Sequence, residues 1–429
     1  MAVESALGRT TAAPHLSGVI VAATIGNVLE WFDFLVYGFF AAMLAEAFFP
    51  TANPAVSLLI TFGTFGLSYV ARPLGAAVIG TYTDRAGRKA GLTLSIALMM
   101  IGTTLMVVTP GYATIGVAAP VIITMARLLQ GFSVGGEFGS AVAFLVEHAG
   151  DRKGYSASWQ WGSTGIVSVI VSLFGVTLTS LLTHQQLVEW GWRIPYVFGL
   201  LLGPVGLYIR SRMAETPEFL DATKPPTVPI GELLRRHPIP LLLALGISII
   251  SNSSYYLLLY IPTYGVKTLH LPAYTGFAAT LLGGVVLAVF SVIAGHLSDK
   301  IGRPRIMLTM ACLFAIAAYP TFWLMVAYPS LATAMFAVGL LNLIKAGYSG
   351  VLPSLLAEQF PVDTRAVGIA FSYGLAVTIF GGFAPFFATW LIAQTGDPLS
   401  PSFYLMATAL LSIIALLAIQ RRIARVPAR

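Results

Sequence analysis

The sequence predicts an all-α integral membrane protein with twelve transmembrane helices in two pseudo-symmetric six-helix halves. Three observations carry this. The 429 residues are 57% hydrophobic and only 10% charged, with a mean hydropathy of +0.83, whereas soluble domains are about one quarter charged. Apolar runs of about 18 or more residues recur along the chain, each long enough to cross a hydrocarbon core of ~30 Å. A short basic turn also occurs twice. Gly80-Thr-Tyr-Thr-Asp84-Arg85-Ala-Gly87-Arg88 returns 215 positions later as Gly295-His-Leu-Ser-Asp299-Lys300-Ile-Gly302-Arg303, and matches at one offset suggest internal duplication.

Spans are expected at 17–46, 56–81, 90–109, 115–147, 155–183 and 193–211, then at 239–266, 273–297, 306–328, 330–357, 366–395 and 401–420. Residues 211–237, with Pro217, Pro225, Pro226 and Pro229 and charges of both signs, read as a linker. The expected domains are therefore 1–210, the linker 211–237, and 238–429 with a short basic tail. Nothing at the N-terminus resembles a cleavable signal. The one cysteine, Cys312, lies inside a span, so neither a disulfide framework nor a thiol metal cluster is expected.

Counting Lys and Arg sets the orientation, because cytoplasmic loops retain them. With both termini inside, nineteen of the 24 fall on the cytoplasmic side. Arg193 and Lys267 fall outside, and Arg72, Arg127 and Lys345 lie within spans. The net charge of +7 is accounted for by topology and anionic headgroups, with no nucleic-acid partner.

Charged groups in a span are costly and normally face a cavity or a partner. On helix 1, Asn27, Glu30, Asp33 and Tyr37 share one face. Two carboxylates a turn apart in a dry site cannot both ionise cheaply, which suits a proton carrier; the structural alternative is a permanent ion pair with Arg72 on helix 2. Helix 4 carries Arg127, Gln130 and Glu137 on one face and then a run of glycines suited to close packing. Arg127 reads either as the cation for an anionic substrate or as an intramembrane partner of Glu30, Asp33 or Glu137. The 215-residue offset places Lys345 of helix 10 at the equivalent of Gln130, so two cations could clamp an anion from opposite halves; the alternative is that Lys345 snorkels to the surface. Gln160 on helix 5, Tyr255, Tyr256 and Tyr260 on helix 7, and Ser372 and Tyr373 on helix 11 add amide and hydroxyl groups. Asp84, Arg85, Arg88, Asp299, Lys300 and Arg303 are expected to latch the halves on the cytoplasmic side. No phosphate loop, zinc spacing or Ser-His-Asp set is present, which argues against an ATP-driven pump or an enzyme.

The repeated turn, the twelve spans and the linker resemble the major facilitator superfamily. Gly26-Asn27-Val-Leu-Glu30-Trp31-Phe32-Asp33-Phe34, Arg72-Pro73-Leu74-Gly75, Gln130-Gly131-Phe132-Ser133-Val134-Gly135-Gly136-Glu137 and Trp190-Gly-Trp192-Arg193-Ile194-Pro195 resemble its metabolite/proton symporter family, which includes citrate, α-ketoglutarate, shikimate and proline/betaine permeases. Tyr260-Ile-Pro262-Thr263-Tyr264-Gly265 and Ile379-Phe380-Gly381-Gly382-Phe383-Ala384-Pro385 look most like the citrate/tricarballylate members, from which Lys345 departs. The resemblance implies a monomeric symporter of the bacterial inner membrane that rocks between inward-open and outward-open states. The expected substrate is a small organic anion, a di- or tricarboxylate, with a zwitterionic compatible solute or a monocarboxylate such as shikimate as the alternative. No cofactor is expected; the coupling ion is H+, with sodium the open alternative.

Overall fold

The computed structural model describes residues 16–86, 88–135, 137–211 and 230–424. The first part runs α1 (Leu16–Phe39), α2 (Ala41–Phe48), α3 (Pro54–Ala86), α4 (Arg88–Val108) and α5 (Tyr112–Ile115). It continues with α6 (Ala118–Ser133), α7 (Glu137–Glu147), α8 (Lys153–Leu181), α9 (His184–Gln186), a π turn (Leu187–Gly191) and α10 (Arg193–Ser211). The second part runs α11 (Ile230–Arg236), α12 (Pro238–Leu259), α13 (Ile261–Lys267), α14 (Ala273–Ile301), α15 (Arg303–Ala327) and α16 (Leu331–Ser349). It ends with α17 (Leu352–Glu358), α18 (Arg365–Ala376), a π turn (Val377–Gly382), α19 (Ala384–Thr395) and α20 (Ser400–Ala424). Among the described residues, ten helices or helix pairs are long and apolar enough to cross a bilayer. With α4, apolar over Thr93–Val108, and α10, they make the twelve spans of the fold.

Several expected spans are broken rather than continuous. The chain interrupts the helix at Phe40, after Ser133, at Tyr260 and at Gly350 and Val351. Pro262 and Pro353 sit at the first turn of α13 and α17, where a missing amide costs nothing but the preceding hydrogen-bond ladder cannot continue. Part of the expected linker is helical: α11 leads through His237 into α12, and residues 212–229 lie outside the described residues.

Two of the sequence motifs explain each other as one helix contact. A Cβ on Gly131 of α6 would lie 1.8 Å from the carbonyl oxygen of Ser68 on α3, so only glycine lets these backbones meet. In the same contact Pro73 removes the amide that would bond the Tyr69 carbonyl four residues earlier. Thr378, from the second π turn, donates its hydroxyl to that carbonyl at 3.2 Å, joining the first six spans to the last six. Arg193 serves the end of α4, donating to the carbonyls of Val107 at 3.0 Å and Thr109 at 2.8 Å and to that of Glu189. In the second copy of the repeated turn, Gly302 has φ +102°, a conformation that L side chains rarely adopt.

Candidate substrate and proton site

A buried polar chain runs through the first six spans. Thr103 of α4 donates to the Oδ2 of Asp33 on α1, and Gln130 Nε2 donates to Thr103 Oγ1 at 3.0 Å. Arg127 Nη1 donates to Gln130 Oε1 at 2.8 Å, and its Nη2 reaches Ser68 Oγ at 3.4 Å. Arg127 is fully buried, with its guanidinium 4.7 Å from the Phe34 ring and 4.5 Å from the Tyr37 ring. Asp33 Oδ1 has no hydrogen-bond partner.

Beside this chain, aromatic rings from both sets of spans enclose two further cations. Arg72 lies 4.3 Å from the Tyr69 ring, 4.7 Å from Phe34 and 5.3 Å from Trp31. Lys345 is 1% exposed, and its Nζ lies 4.0 Å from the Trp161 ring and 4.7 Å from Tyr255. Among the described residues its Nζ has no hydrogen-bond partner, and neither do Arg72 Nε and Nη2 nor Trp161 Nε1. Trp31 packs on Tyr255 and Tyr256, with centroids 6.3 and 6.5 Å away, and Tyr256 on Tyr69 at 5.2 Å. The rings therefore form one continuous cluster.

Of the two readings of Lys345, the structure sets aside snorkelling, because the side chain is buried against the Trp161 and Tyr255 rings. Other expectations are corrected. Arg127 and Lys345 share no ring: Arg127 packs on Phe34, Tyr37 and Phe65, and Lys345 on Trp161 and Tyr255. Asp33 is bonded by Thr103 rather than by Arg72. The helix-1 face also divides among three neighbours. Asn27 and Gln160 bond each other, Gln160 Nε2 to Asn27 Oδ1 at 2.6 Å, while Asn27 also donates to Ser163 at 2.7 Å, and Tyr37 donates to the Thr61 carbonyl at 3.1 Å. Glu30 is half-buried on α1. Tyr260 packs on Phe62 and Tyr264, with centroids 5.4 and 6.0 Å away. The side chains of Glu137, Asp84, Arg85 and Arg88 lie outside the described ones.

Charged contacts bridge the two sets of spans at both ends. At one end Asp299 accepts the amides of Gly154 and Tyr155, at 2.7 and 3.0 Å, placing a carboxylate on the positive N-terminus of α8. Arg303 binds Asp299 at 2.8 Å and also Glu358, Lys300 is exposed, and Arg365 pairs with Glu147 at 2.9 Å. At the other end Lys267 pairs with Glu46 at 2.7 Å, and His184 lies 2.8 Å from the same carboxylate. Burial acts to raise the Glu46 carboxyl, but Lys267 and His184 outweigh it and hold it below the usual range.

Sequence reasoning missed Thr103, Ser68, Tyr69 and the Glu46 bridge. A hydroxyl or a ring in an apolar span is common, and no spacing rule singles these out.

The sequence model of the sugar (and other) transporter family matches residues 19–225 and 220–420. The chain belongs to this family of the major facilitator superfamily. A citrate-proton symporter of Klebsiella pneumoniae is 35% identical over 415 residues, covering 94% of this chain and 92% of that protein. A proline/betaine transporter of Salmonella typhimurium is 36% identical over 418 residues, covering 93% of this chain and 82% of that protein. The xylose transporter XylE of E. coli, solved in a partially occluded inward-open conformation, shares the fold with a TM-score of 0.75 at 16% identity, covering 96% of this chain and 98% of that one. This major facilitator chain is a multi-pass membrane transporter and not an enzyme.

Proposed function

We propose that the protein is a proton-coupled symporter that imports a small organic anion, a di- or tricarboxylate of the citrate type, by alternating access. In this reading it works as a single polypeptide in a bacterial inner membrane, with both termini cytoplasmic. The observation that carries the substrate class is Lys345, a buried amino group with no hydrogen-bond partner among the described residues, at the contact between the first and last six spans. An uncompensated charge in a dry site costs several kcal/mol, about, so a site of this kind is suited to an arriving anion. Unpaired donors on Arg72 and Trp161 add to the surplus, and a carboxylate only accepts.

Asp33 is assigned as the proton-carrying group, tied through Thr103 and Gln130 to Arg127, with Glu30, Arg72 and Glu137 as the remaining proton-coupling candidates. Coupling requires that protonation change the relative stability of the inward-open and outward-open states. A zwitterionic solute is the second reading, because stacked Trp and Tyr faces can hold a quaternary ammonium and a proline/betaine transporter is among the relatives. Here those faces already carry Arg72 and Lys345, which ranks the anion first.

The test is the melting temperature of purified protein with citrate, α-ketoglutarate, shikimate or betaine. A ligand at a hundredfold excess over its Kd stabilises the bound state by about 2.7 kcal/mol. Citrate is expected to raise the melting temperature of the wild type and not of Lys345→Ala; stabilisation by betaine alone overturns the anion reading. In proteoliposomes under a pH gradient, Asp33→Asn is expected to abolish proton-driven accumulation. If both Asp33→Asn and Glu30→Gln still accumulate substrate, the proton assignment is wrong.

A further inference from the structure

We infer that the site contains a separate subsite for a hydroxyl group, formed by Ser168 and Thr280, so that the substrate is a hydroxycarboxylate in preference to its deoxy analogue. The inference rests on the anion reading above and sharpens it. A cavity of about 20 Å³ lies between α8, α12, α14 and α16, lined on its polar side by Ser168, Tyr255, Thr280 and Asn342 and elsewhere by Phe39, Leu258, Leu259 and Gly284. A space of that size holds one water-sized group. A hydroxyl fits such a space.

The hydrogen bonds around the cavity define what it accepts. Thr280 donates its hydroxyl hydrogen to the carbonyls of Gly276 and Phe277, both at 3.0 Å, and accepts from Ser172 at 3.0 Å. Ser168 donates to the Thr164 carbonyl at 3.1 Å and lies 3.5 Å from the Tyr255 hydroxyl. A hydroxyl carries one donor and two lone pairs, so with the hydrogens committed to backbone, these oxygens face the cavity as acceptors. Acceptors attract an O–H and repel a carboxylate.

The cavity adjoins the cation. Tyr255 lines it, and the Tyr255 ring packs on Lys345 Nζ at 4.7 Å. Asn342 precedes Lys345 by three residues on α16, so their Cβ atoms are about 5–6 Å apart. A carboxylate and a hydroxyl on one short carbon chain bridge such a span. The apolar wall of Phe39, Leu258 and Leu259 accommodates the methylenes.

The test uses two ligand pairs that each differ by one hydroxyl, malate with succinate and citrate with tricarballylate, in equilibrium binding to the purified full chain. The wild type is expected to favour the hydroxylated member roughly five- to tenfold. Ser168→Ala combined with Thr280→Val is expected to remove that preference while leaving the deoxy member's affinity in place. Thr280→Ser, which keeps the oxygen, retains the preference, and the single Ser168→Ala variant serves if the double one does not fold. Lys345→Ala weakens both members alike. Equal wild-type affinity within both pairs, with Lys345→Ala still weakening binding, overturns the hydroxyl subsite and leaves the anion reading standing. Equal loss of both members in Ser168→Ala marks a packing role and also overturns the subsite. No carboxylate binding in the wild type overturns both.

Discussion

Thr103 holds the buried polar chain together, because its oxygen joins Asp33 on one side to Gln130 on the other. Thr103→Val keeps the shape and removes that oxygen. Asp33 then has no partner on either carboxylate oxygen, since Oδ1 already lacks one, and Gln130 loses an acceptor. The expected cost is about 1–3 kcal/mol, read as a lower melting temperature that Thr103→Ser restores and that citrate affinity does not follow. An unchanged melting temperature would show that the chain is not under tension at this residue. Asp33, Arg127 and Gln130 were legible in the sequence because a charge or amide within an apolar run stands out. Their partners were not, since a hydroxyl in a helix usually bonds its own preceding turn and which helix lies opposite is a tertiary fact. For the same reason, the offset that related Lys345 to Gln130 drew attention to a residue worth placing but not to the Trp161 and Tyr255 rings it packs on.

Helix contacts rest on positions where the sequence leaves room. A methyl group on Gly131 would overlap the Ser68 carbonyl, and because both partners are backbone, α6 and α3 must separate to admit it. Gly131→Ala is therefore expected to destabilise by about 1–3 kcal/mol and to pull Arg127 away from Ser68, measured as a lower melting temperature together with weaker uptake. Retention of both would mean that the helices meet less closely than the structure has them. The existence and order of the spans were legible from hydropathy, and the glycine run was legible as packing. The breaks at Phe40, Tyr260 and Gly350 were not, because apolar periodicity continues through them. Nor was the reciprocal need that Pro73 creates at the Tyr69 carbonyl, to which a hydroxyl from the far set of spans donates.

The bridges at the two ends work against each other in any cycle that opens one end at a time. Glu46 joins Lys267 at one end, while Asp299 caps α8 and Glu147 holds Arg365 at the other. The repeated turn was legible in the sequence; Glu46, an ordinary acid near a helix end, was not. Each partly exposed pair is worth about 0.2–1 kcal/mol, too little to hold the fold together but enough to shift two nearly balanced states up to about fivefold. Glu46→Gln is expected to increase exposure of its own end, and Asp299→Asn that of the opposite end, with substrate affinity little changed in both. Accessibility of single cysteines introduced at each end, in a Cys312→Ser background, measures this directly. An increase at the Asp299 end in Glu46→Gln overturns the opposed-latch account. The pH response follows from sign. The Glu46 carboxyl is depressed in the folded protein, so its bridge contributes fully above the ordinary carboxylate value of about 4.3 and is lost only as pH falls through the lower folded value. Between about pH 5 and 8 the Glu46 carboxylate therefore adds no pH dependence of its own, so a transport rate that changes over this range has its origin in other groups.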